Sequence, residues 1–472
     1  MIGILLKDNE FEQDIRELLM AFYPGERFAH QETEGVKFYV KGEQEQGVYR
    51  LEVDGETCRF EVPEGERLET KNRIKQNLYR LLEKQTGQSL PWGTLTGIRP
   101  TKIPLTKLEE GWEPEDIREF MRKTYYASEE KIALSVEVAE RERELLSRIS
   151  YEDGYSLYVG IPFCPTTCLY CSFTSYPIGK WEKRMEEYLG ALFQELEYTA
   201  GRMKGKKLDT VYFGGGTPTS LSAEHLEQVI GKVEELFDLS GIQEFTVEAG
   251  RPDSITAEKL EVLKRHGITR ISINPQTMNQ KTLDIIGRRH TVEMVKEKFA
   301  LARELGFDNI NMDLIIGLPG ETMEDVERTM EEIRALSPDS ITVHSLALKR
   351  AARLNLEWDQ YAQLGMVNTQ EMIDLTARYA REMGMEPYYL YRQKNMAGNF
   401  ENVGYALPGK ACIYNILIME EMQTIAACGA GTTTKVVYPA EHRRERAENV
   451  KDVEQYISRI DEMIGRKDAL LR

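Results

Sequence analysis

Between residues 36 and 62 apolar and polar positions alternate, in Val36-Lys-Phe-Tyr-Val, Val48-Tyr-Arg-Leu-Glu-Val and Phe60-Glu-Val, with Gly42, Gly47 and Gly55 between the runs. A period of two broken by glycines predicts a small antiparallel meander. The period then lengthens, and Leu68, Ile74, Leu78, Leu81 and Leu82 recur at helical spacing through residues 64–85. A loop rich in Gly, Pro and Thr follows at 91–100, and then two charged amphipathic helices near 114–125 and 128–148. No catalytic constellation falls in this part, so residues 1–150 read as an α+β accessory domain that shapes a substrate or meets a partner.

From about residue 155 the rhythm changes. Short β-branched or aromatic runs at 155–161, 209–213, 243–248, 269–273, 309–316 and 339–346 alternate with helical stretches near 181–203, 222–238, 256–267, 280–306 and 321–336. The fourth helix is expected to break near Arg288–Thr291. Six strands alternating with helices predict parallel pairing with right-handed crossovers, either as a sheet covered on both faces or as a curled barrel. The fold class is therefore α/β, with this second domain at 151–350. A helix at 366–384, a strand at 387–391 and a charged terminal helix near 448–465 make up a third, mixed region, 351–472.

Composition narrows the setting. Across 472 residues, 41% are hydrophobic and 29% charged, and the longest apolar runs, such as Ile413–Met419, are far shorter than a membrane span requires. The first residues, Met1-Ile-Gly-Ile-Leu-Leu-Lys, carry no export signal pattern, and a cytoplasmic location is expected. A net charge of −17 argues against a general nucleic-acid or membrane-surface binder. Of six cysteines, three crowd into eight residues and the others (Cys58, Cys412, Cys428) are scattered, which suits a metal site in a reducing compartment better than a disulfide framework.

The crowded three are Cys164, Cys168 and Cys171, spaced C-x3-C-x2-C just beyond the first strand of the α/β region. Four thiolates would saturate a zinc ion or a cubane cluster; three leave one iron of a [4Fe–4S] cluster open. An open iron can be chelated by the amino and carboxylate groups of S-adenosylmethionine (SAM). The other reading is zinc with a distant fourth ligand, a histidine or Cys412. The second strand, Leu208-Asp-Thr-Val-Tyr-Phe, runs into Gly214-Gly-Gly-Thr217, whose bare backbone could meet a carboxylate or a chelated amino acid. Later strand ends carry polar residues where a core would be apolar: Glu248, Gln276, Asp313 and His344, with Ala347 just beyond. Such ends line the active site of β/α barrels, although each residue singly could be a satisfied buried polar group. Arg288 and Arg289, at the helix break, could bind a carboxylate or form a solvated turn.

Together these residues resemble the oxygen-independent coproporphyrinogen III oxidase family of radical SAM enzymes, over about Tyr155–Ala347 and more loosely beyond. The N-terminal extension and the string Tyr388–Tyr405 look like the HemZ-type branch. The resemblance implies a partial (β/α)6 radical SAM barrel, with the three cysteines holding a [4Fe–4S] cluster and with two SAM molecules bound. It places SAM contacts on Tyr158, Tyr170, Gly215, Gly216, Thr217, Glu248, Gln276, Arg288, Asp313 and Ala347. It also implies a tetrapyrrole substrate, an electron donor such as flavodoxin or ferredoxin, and oxidative decarboxylation of coproporphyrinogen III propionates to vinyls, giving protoporphyrinogen IX. Two departures stand out. Phe173 occupies the position of an extra cysteine in the decarboxylases, a Cys-x-Phe form shared with heme chaperones. The chaperones' His-Asn-x-x-Tyr-Trp string is missing, and the equivalent region reads Arg392-Gln-Lys-Asn. A heme-binding carrier, and methyl transfer to or ring opening of a tetrapyrrole, remain the alternatives.

Overall fold

The alternating stretch folds as three antiparallel strands, β3 (Tyr39–Glu45), β4 (Val48–Val53) and β5 (Glu56–Glu61), but they are part of a larger sheet. The very first residues form β1 (Ile2–Leu6), which runs parallel to β3 and to the short β2 (Phe28–Ala29), giving the order β2-β1-β3-β4-β5. This strand, and the helix Glu12–Phe22 after it, escape the periodicity reading. The helix Arg67–Thr86 also packs here, and Ile2, Ile15, Val40, Leu51, Ile74 and Leu78 are fully buried in the shared core.

The computed structural model describes residues 1–151, 153–347, 349, 352–393, 400–441 and 443–471. Its chain divides into Met1–Arg141 with Leu390–Glu401, and Glu142–Tyr389 with Asn402–Arg472. The first unit completes itself with helices Lys102–Glu109, Pro114–Tyr125 and the start of Glu129–Leu146, joined through Leu105, Ile117, Met121 and Ile132. The late segment 390–401 belongs to it through buried polar contacts. Glu401 accepts a hydrogen bond from Trp92 Nε1 at 2.8 Å and pairs with Lys131 Nζ at 2.6 Å, while Arg392 Nη1 donates to the Leu95 carbonyl at 2.6 Å. A buried ion pair holds only when its remaining hydrogen-bonding capacity is met, and here it is shared with an indole N–H. Residues 394–399 of the Tyr388–Tyr405 string lie outside the described residues.

In the second unit the predicted α/β rhythm is present: β6 (Gly154–Ile161), β9 (Lys207–Gly215), β10 (Glu244–Gly250), β11 (Arg270–Ile273), β12 (Ile310–Ile316) and β13 (Ser340–Ser345). They pair in sequence order, all parallel, and two-residue strands β7 (Phe163–Cys164) and β8 (Tyr176–Pro177) pair outside them. Helices Met185–Arg202, Ala223–Leu236, Ala257–Arg265, Val292–Glu304 and Met323–Leu336 fill the crossovers, with a short helix Gln280–Ile285 before the expected break. Side-chain caps fix several starts: Ser222, Thr256 and Thr291 accept from the backbone N–H three residues on.

The sheet extends past these six strands. Beyond β13 lie β15 (Asn402–Ala406) and β14 (Glu386–Tyr391); beyond β6 lie β16 (Thr424–Cys428), β17 (Thr433–Tyr438) and β18 (Arg443–Glu448). The terminal helix expected near 448–465 is corrected to two shorter ones, Val453–Ser458 and Ile460–Asp468, since residue 448 ends β18. Buried Glu195, on the helix after the cysteine loop, ties these parts together. It accepts from Gly429 N–H at 2.7 Å, Asn449 Nδ2 at 2.7 Å and Tyr456 Oη at 2.5 Å, and pairs with buried Lys467 at 2.5 Å. Among the described residues no helix is long and apolar enough to cross a membrane.

Candidate active site

The cysteine loop and the glycine turn are joined by backbone. β6 and β9 pair along their whole length, bringing Tyr158 opposite Tyr212, Gly160 opposite Gly214 and Ile161 opposite Gly215. The pairing continues into the loops, where Gly216 N–H donates to the Ile161 carbonyl at 2.8 Å and Thr217 N–H to the Phe163 carbonyl at 2.7 Å. A side chain at Gly216 would put its Cβ 2.5 Å from the Phe163 carbonyl oxygen, so only glycine permits this approach. The approach brings Thr217 Oγ1 to 3.4 Å from Cys164 Sγ.

All six cysteines are free thiols. Cys164 and Cys168 are buried and Cys171 half-buried, on a loop pinned at Leu169, whose N–H donates to the Ile286 carbonyl and whose carbonyl accepts from Leu354 N–H. Burial pushes the Cys164 thiol up to about 11, and it raises Cys171 as well. Enclosed thiols of this kind become thiolates when a metal centre supplies compensating charge. Among the described residues no three His, Cys, Asp or Glu side chains converge as the ligands of one ion would. A cubane cluster needs no such convergence, because each thiolate ligates a different iron. Cys164, Cys168 and Cys171 are thus the residues that could hold a cluster. Cys412 is engaged elsewhere, 3.2 Å from Glu244 Oε1, and Cys428 lies against Thr199 and Lys467.

Two polar sets flank this loop. In the first, Glu248 at the end of β10 accepts from Tyr212 Oη at 2.7 Å. A Cβ on Gly214 would lie 3.1 Å from both Glu248 Oε1 and Tyr158 Oη, so these groups converge on the bare glycine backbone. The rings of Tyr158, Tyr212 and Tyr414 stack on one another, with centroids 4.4–6.0 Å apart. Enclosure raises the Glu248 carboxyl to about 7, with the Tyr212 hydrogen bond pulling the other way and nearby Asp313 adding to the rise.

The second set is knitted around Asn274. Its carbonyl accepts from Arg288 Nη1, its Oδ1 accepts from Asp313 N–H at 3.2 Å, and the Asp313 carbonyl in turn accepts from Gln276 N–H at 3.0 Å. Gln276 is held at φ +69°, a left-handed backbone that costs free energy and persists where the surroundings impose it. Among the described residues its Oε1 is buried with no hydrogen-bond partner, and so is Arg288 Nε. Arg288 also reaches Tyr170 and Cys168, which links this set to the cysteine loop. His344 lies near Asp313, its imidazole held below its usual range by burial, and Ala347 is half-buried just past β13. Arg289, which the sequence offered as a carboxylate ligand alongside Arg288, is exposed to solvent.

Sequence reasoning missed three contributors. Glu321, in the Gly-Leu-Pro-Gly-Glu turn, accepts from Thr277 Oγ1 at 2.5 Å and so braces the residue after Gln276; burial lifts its carboxyl to about 7. Tyr414 comes from the C-terminal helix Ile413–Glu420, where periodicity gave no signal. Arg251 touches the cysteine loop itself; a charged residue three positions after Glu248 was the available sign.

The unpartnered Gln276 and Arg288 atoms, the bare Gly214–Gly216 backbone and the three enclosed thiols fit a cluster with a bound amino-acid-bearing nucleoside. Comparison with known proteins agrees. A sequence profile of the Radical SAM superfamily matches residues 158–333. The fold and this match define a radical SAM protein, a class whose domain binds a [4Fe–4S] cluster and SAM. The oxygen-independent coproporphyrinogen-III oxidase-like protein HemZ of Bacillus subtilis (strain 168) is 43% identical over 403 residues, spanning 84% of this chain and 80% of the relative. The chain belongs to this HemZ-type family. The heme chaperone HemW of the same organism is 40% identical over 195 residues, 41% of this chain and 51% of that protein. The structure of Escherichia coli coproporphyrinogen III oxidase (HemN), described as a radical SAM enzyme, shares the fold at TM-score 0.53 and 23% identity, over 68% of this chain and 72% of that one.

Replacing Cys164, Cys168 or Cys171 with Ala is expected to abolish the iron chromophore and bound iron after anaerobic reconstitution. Cys58→Ala, Cys412→Ala and Cys428→Ala should retain both. Loss of iron from Cys412→Ala would contradict a three-thiolate cluster.

Proposed function

We propose that the protein is an oxygen-independent oxidase of a porphyrinogen, converting propionate side chains of coproporphyrinogen III to vinyl groups and giving protoporphyrinogen IX. The observation that supports this most is the second polar set, which exceeds what a single SAM needs. The reduced cluster and SAM, when bound, supply one-electron cleavage of a C–S bond, which yields a carbon radical able to take hydrogen from an unactivated C–H.

The chain's own residues hold and orient. In this reading Glu248, with Tyr158 and the Gly215–Thr217 backbone, meets one SAM. Arg288 offers a planar fork to a carboxylate, Asp313 an acceptor to an ammonium, and Gln276 a free amide oxygen, so that these three, with Tyr170 and Ala347, hold a second SAM. The propionate loses one hydrogen from its β-carbon. CO2 then leaves, and the remaining electron passes to an acceptor, which leaves a vinyl group. Flavodoxin or ferredoxin is the kind of donor that would supply the electron for the cluster.

The protonation of Glu248 gives a pH signature. Its carboxyl is raised to about 7, so it is neutral below that pH and anionic above it. If the anion meets the ammonium or ribose hydroxyls of SAM, affinity rises with pH and levels off above 7, and falls by up to roughly tenfold for each unit below. Calorimetric titration of the anaerobic protein should find that step, and Glu248→Gln should bind SAM weakly with no step. An unchanged step in the Gln variant would assign it to another group.

The reaction itself is tested by anaerobic turnover with SAM, a low-potential donor and coproporphyrinogen III, with products weighed by mass spectrometry. Loss of one CO2 and two hydrogens from each of two propionates is expected. SAM cleavage with the tetrapyrrole mass unchanged would defeat the proposal. A one-to-one heme complex surviving gel filtration would favour the carrier role of the HemW relatives.

A further inference from the structure

Immediately after the Glu248 strand end, the chain reads Gly250-Arg-Pro-Asp-Ser254, and the arginine turns back toward the cysteine loop. Arg251 is 2% exposed. One of its terminal nitrogens, Nη1, donates to the Thr166 carbonyl and to Thr166 Oγ1, both at 2.8 Å, and lies 3.8 Å from Cys168 Sγ. The other side of the guanidinium is closed by a carboxylate fork: Nε meets Asp253 Oδ1 at 2.9 Å and Nη2 meets Oδ2 at 2.7 Å. Asp253 is braced by a tight turn, Pro252–Ser254, that caps the end of β10.

The geometry points to Arg251 as a positioning residue that presets the Cys164–Cys168 loop and raises the reduction potential of the cluster it carries, with Asp253 setting how much of its charge the cluster feels. Two physical effects combine. A donor aimed at the loop carbonyl between two ligands fixes the spacing of their thiolates before any metal arrives. A donor at a ligand sulfur, and a positive charge beside it, stabilise the state with one more electron, so that hydrogen bonds and net charge around the sulfurs tune the potential. Arg288 approaches Cys168 as well, while buried His290 is held neutral, its imidazole lowered to about 3 mainly by burial and further by the charges of both arginines. The local charge at Cys168 thus comes from two arginines, and Asp253 is the counter-charge on one of them.

This makes two substitutions move one observable in opposite directions. Arg251→Gln removes the charge and should shift the cluster's midpoint potential negative. Asp253→Asn keeps Arg251, removes its counter-charge, and should shift the potential positive. The measurement is an EPR-monitored potentiometric titration of the reconstituted protein with dithionite, with iron content measured in parallel. A tenfold fall in the reduced-to-oxidised ratio at fixed potential corresponds to about 59 mV for a one-electron couple, and a shift of at least that size is expected in Arg251→Gln. Arg251→Lys, which keeps charge but loses the fork, should retain more of the potential than the Gln variant. If Arg251→Gln cannot hold iron, Asp253→Asn decides the question by its sign. A potential unmoved in both variants, or moved the same way in both, overturns the inference.

Discussion

Everything at the site depends on one backbone pairing, that of β6 with β9, carried past the strand ends by the Gly216 and Thr217 amides bonding to Ile161 and Phe163. The cysteines hang from the end of one strand and the glycine turn from the end of the other. With no Cβ at Gly216, the two loops touch at backbone distance, and Thr217 meets Cys164. Parallel strands place all their carboxyl ends on one rim, so the same pairing rule brings Glu248, Gln276, Asp313 and His344 to that rim. Chemistry is then a matter of which side chain ends each strand.

Positive charge is also brought inside the fold beside the cysteine loop. The chain is acidic overall, at −17, yet two buried arginines face the cysteine loop. Each is compensated differently. Arg251 has a carboxylate fork in Asp253, whereas Arg288 leans on a carbonyl and on Tyr170, with its Nε unpartnered. A buried donor without an acceptor costs about 1–3 kcal/mol, and a ligand that supplies the acceptor recovers it. Gln276, strained at φ +69° with an unpartnered Oε1, has the same character. In the proposed reading such groups are the contacts of a bound molecule.

Much of this was legible in the sequence because parallel strands buried on both faces are near-continuous apolar runs, which makes a polar residue at their ends conspicuous. Asp313 and Glu248 stood out for that reason, and the cysteine spacing was explicit. What the sequence hid lacked such contrast. The edge strand β18, Arg443-Arg-Glu-Arg-Ala-Glu448, is charged on both faces and offers no apolar alternation, as befits an edge protected from further pairing. β1 is only five residues long and shows no alternation, and Tyr414 reaches the site from a distant helix. Arg251 is hidden in the sequence because a charged residue beside a proline reads as a turn, and only three dimensions bring it to Thr166. Residue type alone does not separate the adjacent pair Arg288 and Arg289, although the resemblance points to Arg288; the fold buries Arg288 and leaves Arg289 exposed.

In the proposed reading, two polar sets hold two SAM molecules beside one cluster. Counting SAM by equilibrium dialysis on the reconstituted, anaerobic protein tests it most directly, in wild type and in Arg288→Ala. Losing one charge-assisted contact costs about 1.5–3 kcal/mol, or roughly 10- to 150-fold in affinity for the second molecule. Two SAM per chain are expected for wild type, and one at moderate concentration for Arg288→Ala, with the cluster intact in both. A single SAM in wild type, with Arg288→Ala binding it equally well, would contradict a two-SAM site.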